Sequence, residues 1–268
     1  MVSGESFPIY WDSTKYRAWT GVEDLNSLKD YYESPEYISH SSKADSLISL
    51  FYVCGRRVML RYKYAILKRH LKLNSRLLDI GCGTGSFLSF MKKKEFDVFG
   101  VESNVKARKI CLERGIAVES SESKLASASV DGIFLWHVLE HLPNPEKSLA
   151  TYRSILKSAG LLVVAVPNFE SHDRIHYQQN WAALDVPRHL WHFTPKGLIK
   201  MAYESGFELL QESALLLDVF YICYLSEKHR MKLLPFVRGI LKGMFFSIKA
   251  FFTGKHSSSV YVFRKRPL

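Results

Sequence analysis

Five side chains in two short stretches are suited to moving a proton. They are His137, Glu140 and His141 in "HVLEH", and His189 and His192 in "PRHLWHF". Imidazole titrates near neutrality, so a histidine beside an acceptor hydroxyl can take its proton as a new bond forms. His141 and His189 are the candidates for that base, with Glu140 as the carboxylate that orients them. Each histidine also has a plainer reading, as a strut between loops. "HVLEH" formally matches H-x-x-E-H, a zinc-peptidase signature. That signature needs a continuous helix to bring His137 and His141 onto one face, and a further ligand. Here an apolar strand precedes the segment and "LPNP" stops it, so the sequence predicts a loop or a single turn, and no metal.

A second constellation lies upstream. "RLLDIGCGTGSFL", residues 76–88, sets Gly81, Gly83 and Gly85 around Cys82 and Thr84, directly behind an apolar run. Glycines at a strand-to-helix turn permit positive φ and let main-chain N–H groups approach a ligand closely. A tight turn can also need glycine for packing alone. Glu102, at the end of "DVFGVE", stands 17 positions beyond Gly85, where a carboxylate can accept hydrogen bonds from both hydroxyls of a ribose. Together the two features predict a nucleoside site.

The elements that must hold these residues alternate. Candidate strands are residues 76–80, 97–101, 115–118, 132–136, 161–166, 207–217 and 259–265, with helices near 86–94, 104–114, 145–157 and 195–205. Gly115 and Gly160 read as helix stops, and Thr194-Pro195 as a cap with the first helical residue. This order implies an α/β fold, doubly wound around a mostly parallel sheet. Residues 1 to about 45 show no clean period and read as an irregular arm with short helices. Apolar residues at helical spacing from Asp45 to about Leu73 predict a helical extension ahead of the core. We therefore expect an arm with helices over 1–74 and one domain over 75–268, with an insertion at about 218–257.

A dinucleotide fingerprint would read G-x-G-x-x-G/A. Here its last position is Ser86 and the glycines follow G-x-G-x-G, which leaves an NAD-binding oxidoreductase as the alternative. "LLDIGCGTGSFL", "VFGVESN", "SVDGIFLWHVLEHLPNP" and "LKSAGLLVVAVPN" in that order resemble the class I S-adenosylmethionine-dependent methyltransferases. "WAALDVPRHLWHFTP" narrows the resemblance to the group that includes ubiquinone-pathway O-methyltransferases. The resemblance implies a seven-stranded sheet with an antiparallel last strand and S-adenosylmethionine as cofactor. It implies that Asp79 helps hold the methionine end, that Trp136 and His137 face the methionine or adenosine side, and that Trp181 and Asp185 belong to a flap over the acceptor. His192 would stand on the same substrate side. The family's usual adenine-contacting Asp is replaced in "VESSESK", leaving Ser121 or Glu122 as substitutes. The implied activity is methylation, with oxygen of a small-molecule, sugar or lipid-linked acceptor expected. A non-catalytic, membrane-associated nucleoside-binding scaffold is the other alternative.

The net charge of +11 is uneven. Ten of the 37 Lys and Arg residues lie between Lys228 and Leu268, where there is no Asp or Glu, leaving 27 basic against 26 acidic residues upstream. Within that segment, residues 233–252 are apolar over a length that could span a membrane, but Arg238, Lys242 and Lys249 interrupt them. These bases fall opposite Leu234, Val237, Leu241, Met244, Ile248 and Phe251, which predicts an amphipathic helix with a basic edge. Such a helix can pack on the core or a second copy, lie in an anionic membrane surface, or meet nucleic acid. No aromatic-basic recognition motif accompanies it, which argues against nucleic acid. Cys54, Cys82, Cys111 and Cys223 show no metal-ligand spacing and fit a reduced compartment. The first residues lack a basic start followed by an apolar stretch, so a cytoplasmic protein, peripheral at the inner face of a membrane, is expected.

Overall fold

The apolar runs become strands of one sheet in a computed structural model, which describes residues 5–28, 31 and 47–267. Two short strands come first, β1 (Ile9–Asp12) and β2 (Arg17–Thr20), followed by helix α1 (Leu47–Leu67). Alternation then sets in: β3 (Arg76–Ile80), α2 (Ser86–Lys92), β4 (Asp97–Val101), α3 (Val105–Glu113), β5 (Ala117–Glu119), β6 (Val130–Trp136), α4 (Pro145–Ile155) and β7 (Leu156–Pro167). The remainder is α5 (His172–Tyr177), β8 (Trp191–Phe193), α6 (Pro195–Glu204), β9 (Phe207–Ala214), α7 (Asp218–His229), α8 (Pro235–Thr253) and β10 (Ser258–Lys265).

The main sheet has seven strands in the order β5-β4-β3-β6-β7-β10-β9. Five neighbouring strands run parallel, and β10 runs antiparallel to both β7 and β9. Side-chain alternation divides the core between the two faces. Leu78, Ile80, Ile133 and Leu135 pack under α4 and α6, while Leu77, Phe134, Val163 and Ala165 pack under α1, α2 and α3. Helix starts are fixed by side-chain caps: Asn104 accepts from the N–H of Ala107, Asn144 from Lys147 and Thr194 from Gly197.

Two expectations need correcting. The N-terminal arm is not irregular throughout, because β1 and β2 form a hairpin that joins β8 in a separate three-stranded sheet. These strands are four residues long, too short for periodicity to reveal, and β8 reaches them from far along the chain. The remainder of that arm, including most of "YYESPEYISH", lies outside the described residues. Gly160 is not a helix stop either. α4 ends at Ile155 and β7 begins at once, so Gly160 lies inside a strand.

Candidate active site

β3 passes to α2 through residues 81–85, where Gly81, Gly83 and Gly85 have φ of 65°, 54° and 72°. A Cβ on Gly81 would stand 2.7 Å from Cγ2 of Val138, and one on Gly85 would stand 2.8 Å from Cδ1 of Ile116. These two glycines serve packing. At Gly83 nothing lies within 4 Å of the place a Cβ would take, so this face of the loop is open to a ligand. The Gly83 N–H donates to Oε2 of Glu102 at 2.8 Å, and the Asn104 N–H donates to Oε1 at 2.8 Å. Each carboxylate oxygen keeps a lone pair for a further donor. Arg114 donates to the Thr84 carbonyl at 2.6 Å and so fixes the outer side of the loop.

Cys82 contributes main chain here, while its thiol packs inward. Sγ lies 4.0 Å from Sγ of Cys111, and burial pushes both thiols up. Ser121 follows β5, and its hydroxyl is engaged with Ser123. Asp79 is 3% exposed, and burial pushes its carboxyl up to about 8 against the opposing charge of Lys63. Among the described residues, Oδ1 of Asp79 and Nε1 of Trp136 are buried without hydrogen-bond partners.

Beyond the end of β6, His137 holds a positive φ of 57°. Its Nδ1 lies 3.3 Å from Oε1 of Glu140 and its Nε2 lies 3.0 Å from Oδ2 of Asp218 in α7. Burial opposes a charge on this ring, but the bonds to Asp218 and Glu140 outweigh it and raise its pKa to about 10. His137 is therefore an imidazolium donating to two carboxylates near neutral pH. Leu139–His141 is a single 3-10 turn, not a continuous helix.

Glu140 is 1% exposed. Burial works against its charge, yet His137, His189 and His141 together hold its carboxyl below the usual range. His141 Nδ1 meets the Arg188 carbonyl at 2.9 Å, and His189 Nδ1 meets the Ala183 carbonyl at 2.9 Å. A carbonyl only accepts, so both rings carry the proton on Nδ1. The two rings meet edge to face at 4.6 Å. Burial, and then the field of His189, lower His141 to about 4. Among the described residues, ligand atoms of Glu140, His141 and His189 lie within 4.8 Å of one another, an arrangement that could hold a metal ion.

Three more predicted residues surround this cluster. Trp181 is 2% exposed and donates from Nε1 to Oδ2 of Asp173 at 2.6 Å. Asp185 pairs with Arg188 at 2.6 Å and stands 3.7 Å from Nε2 of His189. His192 is buried. Thr20 Oγ1 donates to the His189 carbonyl at 2.6 Å and so accepts from His192 Nε2 at 3.0 Å. The structure thus brings Glu140, Trp181, His189 and His192 to one gap, whose wall also includes Phe169.

Residues 51–212 match the methyltransferase-domain family. The chain belongs to that family. An uncharacterized protein of Methanocaldococcus jannaschii is 27% identical over 146 residues, 53% of this chain and 68% of that protein. A ubiquinone biosynthesis O-methyltransferase of Cupriavidus pinatubonensis is 30% identical over 103 residues; the match takes in 35% of this chain and only 41% of that enzyme. The 1,6-didemethyltoxoflavin-N1-methyltransferase of Burkholderia thailandensis, solved with 1,6-didemethyltoxoflavin and S-adenosylhomocysteine bound, has a TM-score of 0.53 at 17% identity. Their common part covers 96% of this chain and 98% of that one. That likeness is one of fold.

This methyltransferase is S-adenosylmethionine-dependent, and its loop fits the cofactor. It offers open main chain at Gly83, a carboxylate at Glu102 with capacity to spare, and two unpartnered buried polar atoms on neighbouring strands. Lys63 was not foreseen. Its Nζ lies 3.8 Å over the Trp136 ring, and burial lowers its ammonium to about 8 while Asp218 and Asp79 resist. The signal was a lone cation on a helical stripe with Met59, Leu60, Ile66 and Leu67, which pack against the core.

Proposed function

We propose that this methyltransferase transfers methyl to an oxygen of a small-molecule, sugar or lipid-linked acceptor while docked on an anionic membrane surface. Open main chain at Gly83 beside the Glu102 carboxylate carries the cofactor part of this reading. When bound, the cofactor supplies an electrophilic methyl group on a sulfonium. Glu102 accepts from the ribose hydroxyls. The ammonium of the methionine end would favour the ionised form of Asp79, which would accept from it, and Lys63 would face the carboxylate.

The acceptor oxygen has to reach about 3 Å from the methyl carbon, in line with the breaking bond. His189 is the favoured base. Its Nδ1–H is committed to the Ala183 carbonyl, so Nε2 carries the lone pair, and Asp185 stands close enough to stabilise the imidazolium that forms. His141, lowered to about 4, is a weaker base. Glu140 orients the cluster. Trp181 and Asp185 close the acceptor side and keep water out.

α8 supports the membrane reading. Leu241, Met244, Ile248 and Phe251 are 61%, 52%, 60% and 79% exposed, beside the basic excess of the C-terminal segment. Among the described residues, no helix is long and apolar enough to cross a membrane. Titration calorimetry tests the cofactor: S-adenosylmethionine should bind and NAD should not, and absence of nucleoside binding overturns the proposal. Transfer of labelled methyl into lipid, glycan, protein and nucleic-acid fractions of a host extract then identifies the acceptor class, with lipid or glycan label expected.

A further inference from the structure

A cavity of about 630 Å³, open to solvent, lies where the β1–β2 hairpin faces the segment after β7. Phe7, Ile9, Trp11, Phe169, Arg174 and Leu184 line it, and none belongs to the glycine loop. Aromatic rings make up much of the wall. Trp11 stacks on Phe169 at 6.3 Å with planes 17° apart, and His192 lies 5.3 Å from the same ring. Phe169 also lines the gap of Glu140 and His189, so the cavity and the proposed base share a wall.

Arg174 is the charged residue of this cavity. Its guanidinium sits 4.1 Å over the Phe169 ring, and its buried Nε has no hydrogen-bond partner among the described residues. Arg17 pairs with Glu146, Arg188 with Asp185 and Arg238 with Glu227, while Arg153 and Arg266, which share an unpartnered Nε, donate through Nη2 to main-chain carbonyls. No carboxylate among the described residues pairs with Arg174. A guanidinium presents five N–H donors in a fork shaped for carboxylate or phosphate, and partial burial without acceptors is costly unless a ligand supplies them. Stacking on Phe169 holds the fork in one plane.

We infer that this cavity is the acceptor site and that Arg174 selects an acceptor bearing an anionic group, carboxylate or phosphate, on a flat or apolar body seated against Trp11. The cavity's role as acceptor site rests on the methyltransferase reading; the anion preference does not. Calorimetry with phenol, benzoate, phenyl phosphate and dioctanoyl phosphatidic acid tests it. The anions should bind wild type at least about tenfold more tightly than phenol. Arg174→Gln should erase the difference and leave phenol binding, Arg174→Lys should keep part of it, and Trp11→Ala should weaken every aromatic probe. Tighter phosphatidic acid than phenyl phosphate assigns the anion to a lipid headgroup, and the reverse assigns it to a soluble acceptor. Equal affinity for phenol and the anions, or a preference that survives Arg174→Gln, overturns the inference. S-adenosylmethionine titrated into the same variants reads Gly83 and Glu102 alone, so a failure of the methyltransferase reading shows separately.

Discussion

At the scale of single residues, the three glycines of one loop should respond differently to substitution. Gly83→Val meets no neighbouring atom, so its stability cost is the strain of a β-branched residue at a φ of 54°, about 1–3 kcal/mol, and it should abolish S-adenosylmethionine binding in calorimetry. Gly81→Ala and Gly85→Ala meet Val138 and Ile116 and should cost about 1–3 kcal/mol of stability in denaturant unfolding. Glu102→Ala should weaken cofactor binding by about 1–3 kcal/mol, through lost charge-assisted bonds and a slackened Gly83. The histidines give a pH signature. Burial, then the field of His189, lower His141 to about 4 and His192 to about 3, both from an ordinary 6.5. Between those values the unfolded chain binds more protons than the folded one. Stability present above pH 6.5 is therefore lost as pH falls toward 4 and 3. Thermal melts should decline already between pH 6.5 and 5, before most carboxylates titrate, and a flat profile there contradicts this. The strand, the glycine turn and the contact of Glu102 with it were legible in the spacing of the sequence, whereas Asp79 was singled out only by the family resemblance. The contacts of Lys63 with Trp136, Asp218 with His137 and Arg174 with Phe169 were not legible there, since tertiary packing alone decides where their helices lie.

At the scale of elements, α7 and α8 form a pair whose close approach depends on small residues. A Cβ on Gly239 would stand 2.6 Å from the Tyr224 Cα, and one on Gly243 would stand 2.5 Å from the Phe220 ring. Gly239→Val should force the helices apart and cost about 1–3 kcal/mol, with hydrogen exchange rising in both helices ahead of the sheet. The buried carboxylate of Glu227 ties three helices, accepting from Tyr177 of α5 at 3.0 Å and from Arg238 of α8 at 2.6 Å. A helical wheel drawn from sequence finds the basic edge and the apolar stripe of α8 correctly. It cannot say which face finds a partner. The buried stripe is Gly239, Gly243, Phe246 and Ala250, so α8 packs on the molecule through this face and leaves Leu241, Met244, Ile248 and Phe251 exposed. Parallel strands were legible because strands buried on both faces read as unbroken apolar runs. The β1–β2 hairpin was not, because its partner β8 lies some 170 residues away in sequence.

At the scale of the whole molecule, charge and apolar exposure meet at one end of the chain. Arg238 is already paired with Glu227, so Lys242, Lys249 and Lys255 are the cations to test. Changing these three to Glu should cut co-sedimentation with anionic liposomes by at least about tenfold, at roughly 1 kcal/mol per charge near the surface. Wild-type binding should fall as salt rises. Binding that ignores lipid charge, or that survives the triple change, refutes membrane docking. The same end of the molecule has a further property. β9 and β10 are antiparallel neighbours with Ala214 opposite Ser259, so residues 215–257 depart from and rejoin the sheet at one point on its rim. A tight hairpin turn could join the strands there without altering their order. The helical pair is thus an insertion whose far end could vary in length without disturbing strand order, but its first residue is tied down, because Asp218 meets His137 Nε2 at 3.0 Å.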